Sequence, residues 1–189
     1  TEQEQVLQLL ENSIIFLTQE NMKEIIDNES FLSISWDLVN MYLCSIGTTG
    51  LDGKNNAPLG MNIGNISYVS LSYFTEKDPF ADYIIHESAH VFHNWKRRNS
   101  GLKSKKKQEW LLNIDFHKRE NFAFACEVYG KIVEKAKTLK DRKLLLEDCL
   151  ANWMKMPAFI DRDEFKLLLE EAVAHRNGWK CLQKGYSSK

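Results

Sequence analysis

Five consecutive residues, His86-Glu87-Ser88-Ala89-His90, combine two histidines and a glutamate at a spacing that suits metal chemistry. On an α-helix each residue advances by about 100°, so His86 and His90 lie one turn apart and about 40° around the axis. Two imidazoles placed in this way can bind one metal ion, and this H-E-x-x-H spacing favours zinc. Glu87 lies about 100° from His86, where it can reach a zinc-bound water rather than the ion, which suits a general base.

A catalytic zinc site needs a third protein ligand, and the sequence offers three candidates. His93 lies on the same helix face as His86 but about 10 Å along the axis, too far to share one coordination sphere. Glu120 and Glu127 stand seven residues apart further along the chain, so both would lie on one face of a second helix. On spacing alone, these two carboxylates remain alternatives.

The motif and the later glutamate together resemble the gluzincin zinc peptidases. Those enzymes carry H-E-x-x-H on one helix and a glutamate on a later helix, and Glu120-Asn121-Phe122-Ala123 is similar to their E-x-F-A motif. The catalytic domain of anthrax lethal factor and the ImmA/IrrE-type peptidases are similar in this respect. The resemblance implies a zincin-like fold in which His86, His90 and Glu120 bind Zn²⁺. It also implies that Glu87 is the catalytic base.

The resemblance covers residues 66 to 133, about a third of the chain, and this chain departs from the gluzincin pattern at one position. Many members carry Asp or Asn four residues after the glutamate ligand, where it orients a histidine, whereas this chain has Phe124. Glu127 is therefore a candidate for the orienting role as well as for the third ligand. The resemblance further implies that a predicted strand before the motif presents an edge to an extended peptide substrate.

Helices predominate among the elements that would position these residues. Asp78-Pro79 is a good helix start and no breaker follows before Asn99, so the motif is predicted on a helix from Pro79 to Arg98. The preceding strand is predicted over Ile66 to Phe74, which is rich in β-formers, and a Gly-rich loop or hairpin region lies before it. The other predicted helices cover Val6 to Ile26, as one or two helices, Ser35 to Cys44, Asp115 to Lys137, Asp141 to Met154 and Asp163 to Arg176.

These elements predict an α+β fold, predominantly α-helical, with a small β-sheet next to the helix that carries the motif. The 189 residues, 43 % of them hydrophobic, suffice for one compact core, so a single domain over residues 1–189 is predicted. Within it, residues 1–64 hold N-terminal helices and a loop, residues 65–137 the strand and both ligand helices, and residues 138–189 the C-terminal helices.

Charge and hydropathy argue against several classes of partner. The 25 Lys and Arg nearly balance the 26 Asp and Glu, and the basic loop of residues 97–107 has no interleaved aromatics, so nucleic-acid binding is not expected. No apolar run reaches 18 residues, so no membrane span is predicted. Four widely spaced cysteines favour a reducing, cytoplasmic compartment, although a chain that begins at Thr1 is also compatible with secretion after removal of a leader.

The predicted function is that of a zinc-dependent metallopeptidase, a hydrolase in which Glu87 assists the attack of a zinc-bound water on a peptide bond. The substrate would be a peptide or a protein, and the sequence does not determine the oligomeric state. The alternative is a non-catalytic binding or regulatory domain with a structural zinc or a degenerate peptidase site. A closed fourth ligand such as His93 or Cys126 would favour that alternative, and an open fourth position would favour catalysis.

Overall fold

The computed structural model describes residue 8 and residues 10–75, 77–99, 116–152 and 160–186. It is mostly helical with one small β-sheet, which confirms the α+β class predicted from the sequence. The strands are β1 (Ile14–Phe16), β2 (Gly60–Ile63) and β3 (Ile66–Val69), and a 3-10 helix covers Leu71–Thr75. The α-helices are α1 (Gln19–Asn28), α2 (Leu32–Ser45), α3 (Tyr83–Asn99), α4 (Phe116–Lys135), α5 (Leu139–Asn152), α6 (Arg162–Ala174) and α7 (Gly178–Tyr186).

The chain separates into two compact units, an N-terminal unit of Thr1–Lys77 and a C-terminal unit of Asp78–Lys189. The single domain over residues 1–189 stays a prediction. The predicted subdivision grouped the strand with the two ligand helices in residues 65–137, whereas in the structure this strand belongs to the N-terminal unit. Each unit has its own cluster of buried apolar side chains.

The N-terminal unit combines the sheet with α1 and α2 around a small core of Leu17, Met22, Leu38 and Met41. The strand β1 lies within the segment Val6 to Ile26, for which helices were predicted, and this part of the prediction is wrong. Its three residues are large and apolar, two of them β-branched, and such residues fit a pleated surface. They pair in parallel with β3, so a long-range contact overrides the local helical spacing.

The strand β3 is shorter than predicted and lies in the centre of the sheet, whose order is β1-β3-β2. Strand structure ends at Val69, and a 3-10 helix takes the place of the predicted continuation to Phe74. The parallel partner β1 and the antiparallel partner β2 cover both edges of β3. The prediction that this strand presents a free edge to a peptide is therefore wrong. The sequence did not show the two partners, because β1 lies in a segment predicted as helix and β2 in one predicted as loop or hairpin.

The C-terminal unit is built around α4, which packs against α3, α5, α6 and α7. Its core includes fully buried side chains from three of these helices, among them Ile132, Phe165, Leu169 and Leu182. The central position of α4 explains why its sequence is apolar on several faces. A glutamate on this helix is consequently placed in the interior unless it lies near an end.

The helix α3 begins later than predicted, at Tyr83 instead of Pro79. Asp78 accepts a hydrogen bond from the Phe80 N–H (2.9 Å) and so closes a turn that precedes the helix. Asp82 caps α3 instead, since its Oδ1 accepts from the Ile85 N–H at 3.1 Å. The prediction of Asp78 as the cap is wrong because two aspartates four residues apart both suit a helix start, and only tertiary contacts distinguish them.

The last predicted helix, Asp163 to Arg176, corresponds to α6, and after a short corner the structure adds a helix that was not predicted, α7, from Gly178. The Asn177 Oδ1 accepts from the Lys180 N–H at 3.2 Å and so caps α7. A Cβ atom at Gly178 would lie 2.3 Å from the Ala172 carbonyl oxygen and 2.4 Å from the Tyr129 ring. Only glycine allows the backbone of this corner to approach α6 so closely.

The bodies of the other predicted helices are confirmed. The structure places α2, α4, α5 and α6 on the predicted segments, within three residues of the predicted ends where those ends are described. The predicted start at Asp115, the predicted end at Met154 and residues 100–107 of the basic loop lie outside the described residues. In the described part of the chain, no helix has both the length and the apolar composition that crossing a membrane requires.

Candidate metal centre

The two motif histidines lie one turn apart on α3, and both are buried, with exposed fractions of 7 % for His86 and 5 % for His90. Their Nε2 atoms are 3.3 Å apart, and their rings meet edge to face with centroids separated by 5.0 Å. Both Nε2 atoms therefore face one point beside the helix, as the i, i+4 spacing predicts.

Glu120 approaches the same point from α4. Its Oε2 lies 3.4 Å from Nε2 of His86, and its Oε1 lies 3.4 Å from Nε2 of His90. One ligand atom from each of the three residues lies within 4.8 Å of the other two. The structure thus brings together the three predicted ligands from two helices that are separated in sequence.

Glu127 lies on the other side of the His86 ring. Its Oε2 is 3.2 Å from Nδ1 of His86, and its Oε1 accepts a hydrogen bond from the Asp82 N–H at 2.6 Å. A neutral His86 ring with its proton on Nδ1 would donate to Glu127 at this contact and keep the lone pair of Nε2 for a metal ion. Of the two glutamates that the sequence left as alternatives, Glu120 has the position of a ligand and Glu127 that of an orienting partner.

At the position where many gluzincins have Asp or Asn, this chain has Phe124, whose ring contacts His86 without a hydrogen bond. Phe124 packs edge to face on His86, with centroids 4.5 Å apart and an interplanar angle of 71°. The orienting carboxylate comes from one turn further along α4, at Glu127. For His90, no hydrogen-bond partner of the buried Nδ1 atom is found among the residues that the structure describes.

Glu87, the predicted base, is 5 % exposed and follows His86 directly on α3. It does not belong to the cluster of grouped ligand atoms, but its charge is close enough to help raise the pKa of His86. Its role as the general base stays a prediction.

Burial and close contacts shift the pKa values of the three candidate ligands. Burial lowers the pKa of His86, but hydrogen bonds with Glu120 and Glu127 outweigh it and raise this pKa to about 9. Burial also lowers the pKa of His90, and the charge of His86 adds to this effect. For Glu120, burial raises the pKa, but the contacts with both histidines outweigh it and hold the pKa well below its usual range.

The donor atoms match a zinc ion in both type and spacing. Zinc bonds to histidine nitrogen and carboxylate oxygen are about 2.0 to 2.2 Å long, and in a tetrahedron two such ligands lie about 3.3 to 3.6 Å apart. The two Nε2 atoms are 3.3 Å apart, and each lies 3.4 Å from a different oxygen of Glu120. The three side chains therefore fit a zinc ion in the type of their donor atoms, and their spacing is close to that of zinc ligands.

Another possible metal-binding group occurs at the corner between α6 and α7. One possible ligand atom from each of Glu171, His175 and Cys181 lies within 4.8 Å of the other two, but Glu171 and His175 are exposed. Within the described ranges, this group and the cluster of His86, His90 and Glu120 are the two that suit a metal ion. The corner group has no local sequence pattern, because Cys181 lies on a helix that was not predicted.

Other residues considered from the sequence lie away from the cluster or outside the described side chains. Cys126 is buried in the apolar core, and burial raises its pKa to about 12, so its thiol stays protonated. Tyr129 is also buried in this core and packs on Trp179, with centroids 4.8 Å apart. His117 is exposed at the start of α4, and the side chain of His93 is outside the described part.

No protein-family model, curated protein or solved structure gives a significant match to this chain. The resemblance to gluzincins is carried by the chain's own motifs.

Proposed function

We propose that this chain is a zinc-dependent metallopeptidase of the gluzincin type with a zincin-like fold. His86, His90 and Glu120 hold Zn²⁺, and Glu87 is the catalytic base. The observation that carries the proposal is the convergence of His86, His90 and Glu120 from α3 and α4. Their Nε2 atoms lie 3.3 Å apart, and each lies 3.4 Å from one of the two Glu120 carboxylate oxygens. With these three residues as its protein ligands, a zinc ion would keep one position for water or substrate, as in zinc hydrolases.

When bound, zinc supplies a Lewis acid that acidifies water and polarises a carbonyl oxygen. Glu87 accepts a proton from the attacking water on a carboxylate oxygen and then delivers it to the amine nitrogen of the departing product. Its place one residue after His86 turns it about 100° from the ligand face of α3, so that it serves water instead of the ion. Glu127 holds His86 in the tautomer that ligation requires, with the proton on Nδ1 and the lone pair on Nε2.

A structural zinc site would need a fourth protein ligand. Among the described residues, no further His, Cys, Asp or Glu joins the group of three. Cys126, one of the two residues considered for that place, lies in the apolar core as a protonated thiol. A structural zinc site closed by Cys126 is therefore disfavoured, which supports the catalytic proposal.

The substrate class in this proposal, a peptide or protein, follows from the resemblance to gluzincins. The central place of β3 removes the free strand edge on which peptide binding was expected. Recognition of an extended substrate therefore relies on other parts of the chain.

The function is tested with zinc-loaded parent and Glu87→Gln chains, each incubated with unfolded casein and with a mixed peptide library. New amine termini are quantified by mass spectrometry, and bound zinc is quantified by elemental analysis. The parent is expected to cleave, whereas Glu87→Gln keeps its zinc and cleaves at least about 100-fold more slowly, since a general base contributes that much or more. Glu147→Gln, which changes an exposed glutamate of α5, is the matched control and is expected to retain full activity.

A Glu87→Gln chain that binds zinc and cleaves as fast as the parent would contradict the role of Glu87. A parent chain that binds zinc but cleaves none of the peptides would instead favour the non-catalytic alternative.

A further inference from the structure

Asp82, the residue before α3, contacts both helices of the candidate metal centre. Toward α3, its Oδ1 accepts from the Ile85 N–H (3.1 Å) and its carbonyl oxygen accepts from the His86 N–H (2.9 Å). Toward α4, its N–H donates to Oε1 of Glu127 (2.6 Å) and its Oδ2 accepts from Nζ of Lys131 (2.8 Å). The start of the motif helix is therefore joined to α4 at two points one helical turn apart.

Glu127 links this junction to the metal centre. One of its oxygens accepts from Asp82, and the other lies against Nδ1 of His86. The direction in which Glu127 presents its second oxygen thus depends on where the Asp82 N–H is held. A carboxylate that orients a metal-binding histidine affects metal affinity through that orientation.

The ion pair of Asp82 with Lys131 is largely shielded from water, with side-chain exposed fractions of 11 % and 19 %. Burial lowers the pKa of Lys131, but hydrogen bonds to Asp82 and Glu134 outweigh it and raise this pKa to about 12, so the lysine remains charged. Shielded pairs with good geometry hold position better than exposed pairs, and loss of one partner leaves the other charge uncompensated.

We propose that Asp82 and Lys131 are positioning residues of the metal centre. Their ion pair fixes the Asp82 backbone, which fixes Glu127, and Glu127 in turn aims Nε2 of His86 at the ion. The inference rests on the proposed zinc site for the identity of the ion. It goes beyond that site because it makes zinc affinity depend on a lysine that contacts no ligand in the described structure.

The test compares the parent with Lys131→Met, Lys131→Arg and Asp82→Asn. Lys166→Met is the matched control, because it removes a lysine from the exposed ion pair with Glu170 (3.8 Å) on α6. Zinc affinity is measured on the metal-free chains by competition with a chromophoric chelator. The visible absorption of each Co²⁺-loaded chain reports ligand geometry, and circular dichroism reports helix content.

Lys131→Met and Asp82→Asn are each expected to weaken zinc binding about tenfold, at the lower end of the effects seen for groups around metal ligands. The Co²⁺ spectra of both are expected to change. Lys131→Arg restores affinity to within about twofold of the parent, and Lys166→Met leaves it unchanged. Combining Asp82→Asn with Lys131→Met weakens binding no further than either change alone, because both remove the same ion pair.

Loss of a helix cap alone would lower the melting temperature without changing the Co²⁺ spectrum, and that outcome would overturn the positioning role. A folded Lys131→Met chain with the zinc affinity and Co²⁺ spectrum of the parent would also overturn it. If Lys131→Met does not fold, Asp82→Asn decides the question by the same criteria. Failure of the parent itself to bind zinc would overturn the proposed function and this inference together.

Discussion

A carboxylate contacts the imidazole of His86 at each ring nitrogen. Glu127 lies 3.2 Å from Nδ1, and Glu120 lies 3.4 Å from Nε2. The two glutamates are seven residues apart on one face of α4, about 10 Å along its axis, and the ring lies between them. Because one faces the proposed ion and the other faces away from it, their removal should affect zinc binding to different degrees.

Glu120→Ala is expected to remove most of the zinc from the purified protein, since it deletes a proposed ligand. Glu127→Ala keeps all three ligands and is expected to weaken zinc binding about 10- to 100-fold. Elemental analysis after dialysis against a series of free zinc concentrations separates the two effects.

His175→Ala serves as the control in this experiment, because it disrupts the exposed group at the α6–α7 corner and not the buried cluster. It is expected to retain the tightly bound zinc. A Glu127→Ala chain without zinc beside a fully loaded Glu120→Ala chain would reverse the assignment of the two glutamates.

Residue types and spacing were sufficient to predict that His86 and His90 face one point, and the resemblance to gluzincins selected Glu120 as the residue that joins them. Types and spacing were not sufficient to assign Glu127, because a seven-residue interval places both glutamates on one helix face without showing where a histidine ring crosses it. The role of Asp82 was missed for a different reason. The nearby Asp78-Pro79 is a stronger local helix start, and only contacts from Glu127 and Lys131 favour the later aspartate.

Among the elements, the α6–α7 corner depends most directly on one residue. Gly178 is the first residue of α7, and its backbone lies directly against the Ala172 carbonyl and the buried Tyr129 ring. A backbone oxygen and a buried ring cannot move aside as the end of a flexible side chain can.

Gly178→Ala is therefore expected to lower the stability of the chain by about 1 to 3 kcal/mol, the usual cost of overpacking. Urea unfolding is followed by the circular dichroism of the helices, and the midpoint of the transition measures the change. Gly185→Ala in the same helix is the comparison, because its Cβ would meet only a Leu168 methyl group. It is expected to cost less, since Leu168 can rotate and alanine favours the helix by about 1 kcal/mol. Equal midpoints for the parent and Gly178→Ala would show that the corner has room for a methyl group.

The helices were predicted better than the strands because a helix depends on contacts within its own segment. Residues that favour helix starts and stops were enough to locate the bodies of α2 and α4 to α6. The strand β1 is three residues long and depends on β3, so no local pattern distinguishes it from part of a helix. The helix α7 is short and begins with Asn-Gly, which locally favours a stop.

At the scale of the molecule, every residue of the proposed centre belongs to the C-terminal unit. Its ligands come from two helices far apart in sequence, so bound zinc stabilises the folded arrangement of α3 against α4. Removal of the ion should therefore lower the stability of this unit.

The parent chain is expected to melt at a higher temperature with zinc than with a chelator. Free zinc at 100 times the dissociation constant contributes about 2.7 kcal/mol. In a unit of this size that corresponds to a shift on the order of 10 °C. Scanning calorimetry measures the shift, and His86→Ala is expected to show none. Equal melting temperatures for the parent with and without zinc would contradict binding to the folded state.

The parallel pairing of β1 with β3 has a consequence for the order in which the chain folds as it is synthesised. Ile14 pairs with Ser67, more than fifty residues later, so β1 leaves the ribosome long before its partner exists. The apolar residues of β1 therefore stay unpaired until β3 has been synthesised, whereas β2 and β3 are close in sequence and can pair at once. Closing the long connection is the slow step for such a sheet, and during that interval the uncovered edge of β3 can recruit another nascent chain.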